Sequence, residues 1–255
     1  MTEAPSTTTS SILPNFHLLC MEERFSEAFN QAVTEHYPDL HRHSSIKIHN
    51  CSLKNLDPDL RVDAVVSPAN SYARLDGAFD DALARAYGPR TDYFWITRKA
   101  QKVFYRKWKG FAPPGTCTIV RLDHEDEQIA TQPTATTAIT ENPWGTEYLL
   151  MCPTMAIPAD VRWDKTVVYE CIWSMLCVVD EHNQETNEKP IRDILIPPLA
   201  TGIGKVSPLR WAQQCVLAMK HWVEANEKPE IWGNLHWDDI LQRQDELEPT
   251  YADGA

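Results

Sequence analysis

Asn70 and Asp80 stand ten positions apart around a loop that contains Gly77, and their side chains suit a sugar and a water molecule. An amide both donates to and accepts from vicinal hydroxyls. A carboxylate in a partly closed cleft orients or deprotonates water. The residues around them read as one unit. An apolar run, Val62 to Val66, stops at Pro68; Ala69 and Asn70 follow, then Gly77, Ala78 and Phe79, and Asp80 heads an Ala/Leu-rich stretch with helical character. That order predicts a buried strand carrying Asn70 at its carboxyl end, a loop whose backbone closes over a ligand, and a helix N-terminus. Ligands of open α/β sheets bind at such a place, and helix N-termini attract anions. The helix dipole there also favours the ionised form of Asp80. A plainer use exists for both residues: Asn70 caps a turn and Asp80 caps the following helix.

A second glycine motif, Thr201-Gly202-Ile203-Gly204, follows the apolar Asp193–Pro197 run and precedes a helical segment that opens with Ser207 and Pro208. A strand before and a helix after give such a motif its meaning as a phosphate cradle; a tight strand-to-helix turn is the plainer reading. No His-Glu-x-x-His, Gly-x-Ser-x-Gly or P-loop pattern occurs.

Residues 62–80 resemble the macrodomain signature, a Val-Asp-Ala-Val-Val strand before an Ala-Asn pair and a glycine loop ending in Asp. The variant with Ser-Pro-Ala-Asn-Ser is nearest, as in the branch named for phage-tail assembly or ADP-ribose-1″-phosphate processing. Ile196 to Gly204 resembles that branch's second phosphate loop, and Cys152 to Pro158 resembles its Ala-Pro-Thr-Met-x-x-Pro segment. The three motifs stand in the family's order over roughly residues 46–223. The resemblance implies a three-layer α/β/α sandwich with a mixed, largely parallel sheet, and binding of ADP-ribose or an ADP-ribosylated species. It implies that Asn70 clamps the distal ribose and that Asp80 acts on a water near the anomeric carbon. Ala69, Gly77, Ala78 and Phe79, with Thr201, Gly202, Ile203 and Gly204, would line the ligand.

Three departures stand out. Ala78 replaces a glycine. Gly204 occupies a place that is often Tyr or Phe in the family, and Ser52 stands where many members carry an acid for the adenine amino group. The implied activity is hydrolysis of an ADP-ribose conjugate, either ADP-ribose-1″-phosphate or a protein-linked ADP-ribose. A non-catalytic reader and a relic with an empty pocket remain open beside it. No cofactor and no metal is implied.

The elements that must position these residues are legible in the apolar pattern. Strands are expected at Phe16–Cys20, Ile46–His49, Val62–Val66, Thr116–Arg121, Tyr148–Cys152 and Asp193–Pro197. Between them run helical stripes: Met21, Phe25, Ala28, Phe29, Ala32 and Val33; then Val167 to Val179; then Leu209, Ala212, Val216, Met219 and Val223. Strands alternating with helices predict an α/β sheet independently of any family. The basic stretch Arg98 to Lys109 reads as the solvated face of an amphipathic helix whose inner stripe is Phe104, Tyr105 and Trp108.

The expected organisation is an N-terminal tail at 1–14, a domain at 15–228 and an acidic extension at 229–255. Within the domain, an acidic, Thr-rich surface insertion is expected at 123–146. In the extension, Trp232 and Trp237 are expected to pack on the domain and the last dozen residues to be disordered. The formal charge of -12 argues against a nucleic-acid partner. No apolar run reaches the roughly 18 residues of a membrane span, and the Thr/Ser-rich N-terminus lacks a secretory pattern. Seven cysteines without metal or pairing spacing suit a reducing compartment, cytoplasmic or nuclear.

Overall fold

A computed structural model describes residues 12–122, 142–185 and 187–252. Six strands form one sheet: β1 (Asn15–Leu19), β2 (Ile46–His49), β3 (Ala64–Ser67), β4 (Thr118–Arg121), β5 (Tyr148–Met151) and β6 (Asp193–Ile196). Their order across the sheet is β2-β1-β6-β3-β5-β4, all parallel except β4, which runs antiparallel to β5. The helices are α1 (Glu23–His36), α2 (Ala78–Tyr87), α3 (Trp95–Trp108), α4 (Val167–Gln184), α5 (Pro208–Glu227), α6 (Pro229–Trp232) and α7 (Trp237–Leu247).

The strands are short, nearly uninterrupted apolar runs because both faces of the sheet are covered. Phe16, Leu18, Ala64, Val66, Leu150, Ile194 and Ile196 point into one core with α1, α4 and α5. Their neighbours Leu19, Val65, Leu149, Met151 and Leu195 point into the other with α2 and α3. The result is a three-layer α/β/α sandwich with a mixed, largely parallel sheet, the class the alternating pattern predicts.

The connections leaving β6 and β3 diverge. β6 leads into α5 on one face, and β3 leads into α2 on the other. Since β6 and β3 are adjacent and parallel, a crevice opens between their following loops at the carboxyl edge, the switch point where α/β sheets take ligands. At the opposite edge, Asp63 has a purely structural use. Its carboxylate accepts from the backbone N–H groups of Arg192 (2.9 Å) and Asp193 (3.0 Å), tying β3 to β6.

Several expectations require correction. Met21 does not belong to the buried stripe of α1; it is 66% exposed, two residues before the helix begins. In α3, Phe104 and Trp108 turn inward, whereas Tyr105 is 65% exposed with Lys109 over its ring. The tail at 1–11 and the stretch 123–141 lie outside the described residues. The remainder of the expected insertion is not a surface loop: Trp144 and Thr146 are buried, and Trp144 packs on Tyr87. The C-terminal extension also folds onto the domain. Thr250 is buried and its hydroxyl accepts from Gln214, Glu246 faces His221 and Lys220, and Trp232 stacks on Trp173. Order therefore continues well into the last dozen residues, while Trp237 stays 75% exposed.

Candidate functional site

A cleft of about 400 Å³ occupies the switch point. That volume lies within the range of small-molecule sites. One wall is the loop between β3 and α2, the other the loop between β6 and α5, and the segment after β5 closes one side. Asn70, Gly77, Ala78, Phe79, Asp80, Thr201, Gly202, Ile203 and Gly204 all line it, as does Ala69. The segment after β5 arrives because the β3–β5 pairing continues past both strands. Thr154 N–H donates to Ala69 O (3.0 Å), Ser71 N–H donates to Met155 O (3.0 Å), and Asn70 forms an isolated bridge with Met155.

The first loop is organised by Asn70 itself. Its Oδ1 accepts from the N–H groups of Tyr72 (3.1 Å) and Arg74 (3.3 Å), and its Nδ2 donates to Arg74 O (2.8 Å). Asn70 thus performs the turn-holding role and lines the cleft at once, with one amide hydrogen left over. The loop ends at Gly77, the N-cap of α2, which offers no side chain to the helix. The N–H groups of Ala78 and Phe79 precede the first intrahelical bond, so the uncapped end presents donors at the cleft. Ala78 has φ +50°, a left-handed backbone that costs an L-residue about 1–2 kcal/mol. The position favours a glycine even though the sequence supplies Ala.

Asp80 lies on the floor of this wall and is only 8% exposed. Ser67, at the last residue of β3, donates its hydroxyl to Asp80 Oδ1 at 2.6 Å. Burial pushes the Asp80 carboxyl up to about 7; the Ser67 bond opposes the shift, and Asp76 nearby adds to it. The expected dominance of the helix dipole is corrected: burial is the leading influence on this carboxyl and works against the ionised form.

The second loop is built differently. Thr201 Oγ1 donates to Pro198 O (3.1 Å), Lys205 N–H to Gly202 O (3.1 Å) and Val206 N–H to Ala200 O (3.1 Å). A Cβ on Gly202, which lines the cleft, would meet nothing within 4 Å. A Cβ on Gly204 would lie 2.4 Å from Ala200 O and 2.9 Å from Val161 Cγ2. Gly204 is therefore required by packing, and its place in the cleft wall follows from that. Behind the loop, Val161 N–H donates to Gly204 O (3.0 Å), and buried Arg210 holds the carbonyls of Arg162 (3.0 Å) and Asp164. Ser207 caps α5 by accepting from Arg210 N–H (3.2 Å), with Pro208 at the first helical position.

The charges at the mouth are already matched: Arg74 pairs with Asp76, and Arg24 with Glu22. An anion in the cleft would thus rest mainly on backbone N–H groups. Ser52 does not line the cleft; it precedes a 3-10 turn, Leu53–Asn55, beyond β2. The side of the cleft that the motifs did not mark is the turn from β1 into α1, where Met21, Glu22, Arg24 and Phe25 lie. Its only sequence signal is Met21, an apolar residue in register with the helical stripe but two positions before the helix begins.

No family model matches the chain. Among solved structures it is similar to an Oceanobacillus iheyensis macrodomain in several forms. A point mutant of that macrodomain with ADPR is 14% identical over 65% of this chain and 71% of that one, with a TM-score of 0.42. The form with MES bound is 14% identical over 75% and 86%, TM-score 0.42, and the form with ADP is 15% identical over 64% and 67%, TM-score 0.41.

Proposed function

We propose that this cleft binds ADP-ribose or a close derivative, in the manner of the macrodomains its motifs resemble, and hydrolyses an ADP-ribose conjugate. One observation carries the reading. Three segments far apart in sequence, around Asn70, Thr154 and Gly202, converge on one cleft at the switch point. In this reading the diphosphate lies between the uncapped start of α2 and the open backbone at Gly202, where no side chain intrudes. The distal ribose meets Asn70 at the end of β3. Asp80, with its carboxyl near 7, takes or gives a proton at neutral pH, the range in which general acid–base catalysis works best.

Calorimetry with ADP-ribose and AMP tests the binding. ADP-ribose should bind more tightly, because AMP lacks the distal ribose, and Gly202→Glu should abolish binding without changing Tm. Equal affinity for the two ligands, or binding retained in Gly202→Glu, would place the ligand elsewhere.

A reader module is the second reading, favoured by the burial of Asp80 and its bond to Ser67, which keep the carboxyl from bulk water. Turnover of ADP-ribose-1″-phosphate and of protein-linked ADP-ribose separates the two. A hydrolase should lose about 10²–10⁴-fold of its turnover in Asp80→Asn with affinity little changed. Tight binding by the wild type with no turnover of either substrate selects the reader.

A further inference from the structure

Two helices away from the cleft, α3 and α7, present outward faces of complementary character. α3 turns Phe104 and Trp108 toward the core, and the Trp108 indole N–H donates to Thr118 Oγ1 at 2.8 Å. Its outer side carries Arg98, Gln101, Lys102, Tyr105 and Arg106, which line an open groove of about 570 Å³. No acid occurs in the sequence between Asp92 and Asp123, so a chain of net charge -12 keeps a concentrated basic face here. Arg98 reaches back to Asp92, but Lys102 and Arg106 have no ion-pair partner among the described residues.

α7 is the converse. Its inner side is held to α5, where Glu246 accepts from Lys220 and Leu247 is buried. Its outer side carries Trp237 and Leu241, one turn apart and 75% and 53% exposed, with Asp238 and Asp245 on the same side. Neither Asp has an ion-pair partner among the described residues. An exposed apolar pair rimmed by charge marks a protein contact surface, and Trp, Tyr and Arg are the residues that anchor such contacts. The dimensions agree. At about 1.5 Å per residue, Asp238 and Asp245 stand about 10 Å apart along α7, and Arg98 and Arg106 about 12 Å apart along α3. Within one chain the two faces cannot meet, because α3 covers one side of the sheet and α7 lies on α5, which covers the other.

We propose that the outer face of α7 docks on the outer face of α3 of a second copy of this chain, with Trp237 in the groove between Lys102, Tyr105 and Arg106 and with Asp238 and Asp245 against the bases. An indole among ammonium and guanidinium groups gains cation–π attraction as well as apolar contact. Two helix faces of this length bury less than about 1,200 Å², the range of weak and transient contacts. Association therefore depends on concentration and is weakened by salt. The contact is heterologous. Its two halves lie on opposite sides of the molecule, so each added copy leaves one face of each kind free and assembly runs head to tail. It does not depend on what the cleft binds.

Sedimentation velocity of the full chain at rising concentration, in about 0.05 M and about 0.5 M salt, tests the proposal. The average mass should rise with concentration in low salt and return to that of the monomer in high salt. Lys102→Glu combined with Arg106→Glu makes both faces acidic, and Asp238→Lys combined with Asp245→Lys makes both basic. Each double variant should stay monomeric with Tm little changed, because these side chains have no ion-pair partner within the chain. Mixed in equal amounts, the two variants should associate again, since every α3 then faces an α7 of opposite charge. A symmetric contact through either helix alone would show no such rescue. Trp237→Ala should weaken association by about tenfold or more. A wild type that is monomeric throughout, association unaltered in either double variant, or a mixture that stays monomeric overturns the proposal. So does a single-stranded oligonucleotide or an acidic peptide bound at α3 by a chain that remains monomeric, which would give that face a different occupant.

Discussion

The two loops that face each other across the cleft are held in shape by different means. The β3–α2 loop turns on one polar side chain that also lines the cleft, Asn70, whose three bonds to Tyr72 and Arg74 set its course above the buried Ala73 and Leu75. The β6–α5 loop depends on packing: Gly204 fits against Ala200 and Val161, and buried Arg210 fixes the segment behind it. The consequence is functional. In the first loop, the side chain that shapes the backbone also lines the cleft, so under the proposed function binding and loop order are coupled. The second loop is a packed template whose shape does not rest on a side chain facing the cleft.

The largest test of this contrast lies under the first loop, at Asp80, which has no counterpart in the second. The folded protein holds the Asp80 carboxyl near 7 against an ordinary value of 3.8. The neutral form is therefore favoured by folding. Its contribution to stability is complete below about pH 4 and is lost as pH rises through 7. Such a shift corresponds to roughly 4 kcal/mol once both states are ionised. Asp80→Asn keeps an acceptor for Ser67 and removes the charge. It should melt higher than the wild type, by a small margin at pH 5 and by roughly 8 °C or more at pH 8. Thermal melts across that range decide it. A difference that stays flat with pH would mean that Asp80 is solvated and that the first wall stores no such cost.

Next in size is a direct comparison of the loops. Gly204→Ala must displace Ala200 or Val161, at a cost of about 1–3 kcal/mol. Asn70→Ala removes three bonds from a half-exposed loop, at about 1 kcal/mol. Denaturant unfolding should rank them in that order. Titration with ADP-ribose should show a loss in both, since the first variant deforms the template and the second frees a loop the ligand must then order. Asn70→Ala costing more stability than Gly204→Ala would reverse the assignment of which loop is the rigid one.

Much of this arrangement was legible in the sequence, and the rest was hidden for identifiable reasons. Val62–Val66 and Asp193–Pro197 read as buried strands because both sheet faces are covered, and Ser207-Pro208 read as a helix start because capping is local chemistry. The two glycine loops were found because strand and helix flank them. The ionisation of Asp80 was not legible: a helix N-terminus is visible in sequence, but the burial that outweighs its dipole comes from chain distant in sequence. Nor was the β1–α1 wall, since Met21 falls close enough to the α1 stripe to be counted within it. The C-terminal segment misled through composition. Its acids suggest solvation, yet Glu246 finds Lys220 and His221, and Thr250 finds Gln214, partners that only the fold brings near.

The smallest expected effect concerns the glycine that the first loop lacks. Ala73 holds φ +54° within the first loop, Ala78 holds φ +50° at the start of α2, and Ala200 holds φ +61° in the second loop, so the first wall contains two left-handed alanines and the second one. Ala78→Gly removes a steric cost of about 1–2 kcal/mol in the folded state. It also gives the unfolded chain more freedom, worth about 0.4–1 kcal/mol in the opposite direction. The net should be a gain of about 0.5 kcal/mol, measurable as a higher denaturant midpoint with the slope unchanged. Ala200→Gly should gain a similar amount if steric strain alone governs both. If Ala78→Gly instead loses stability while Ala200→Gly gains it, the Ala78 methyl group is supplying contacts that hold the first loop in place. The first wall would then depend on packing as the second does, and the contrast between the two would narrow to Asn70 alone.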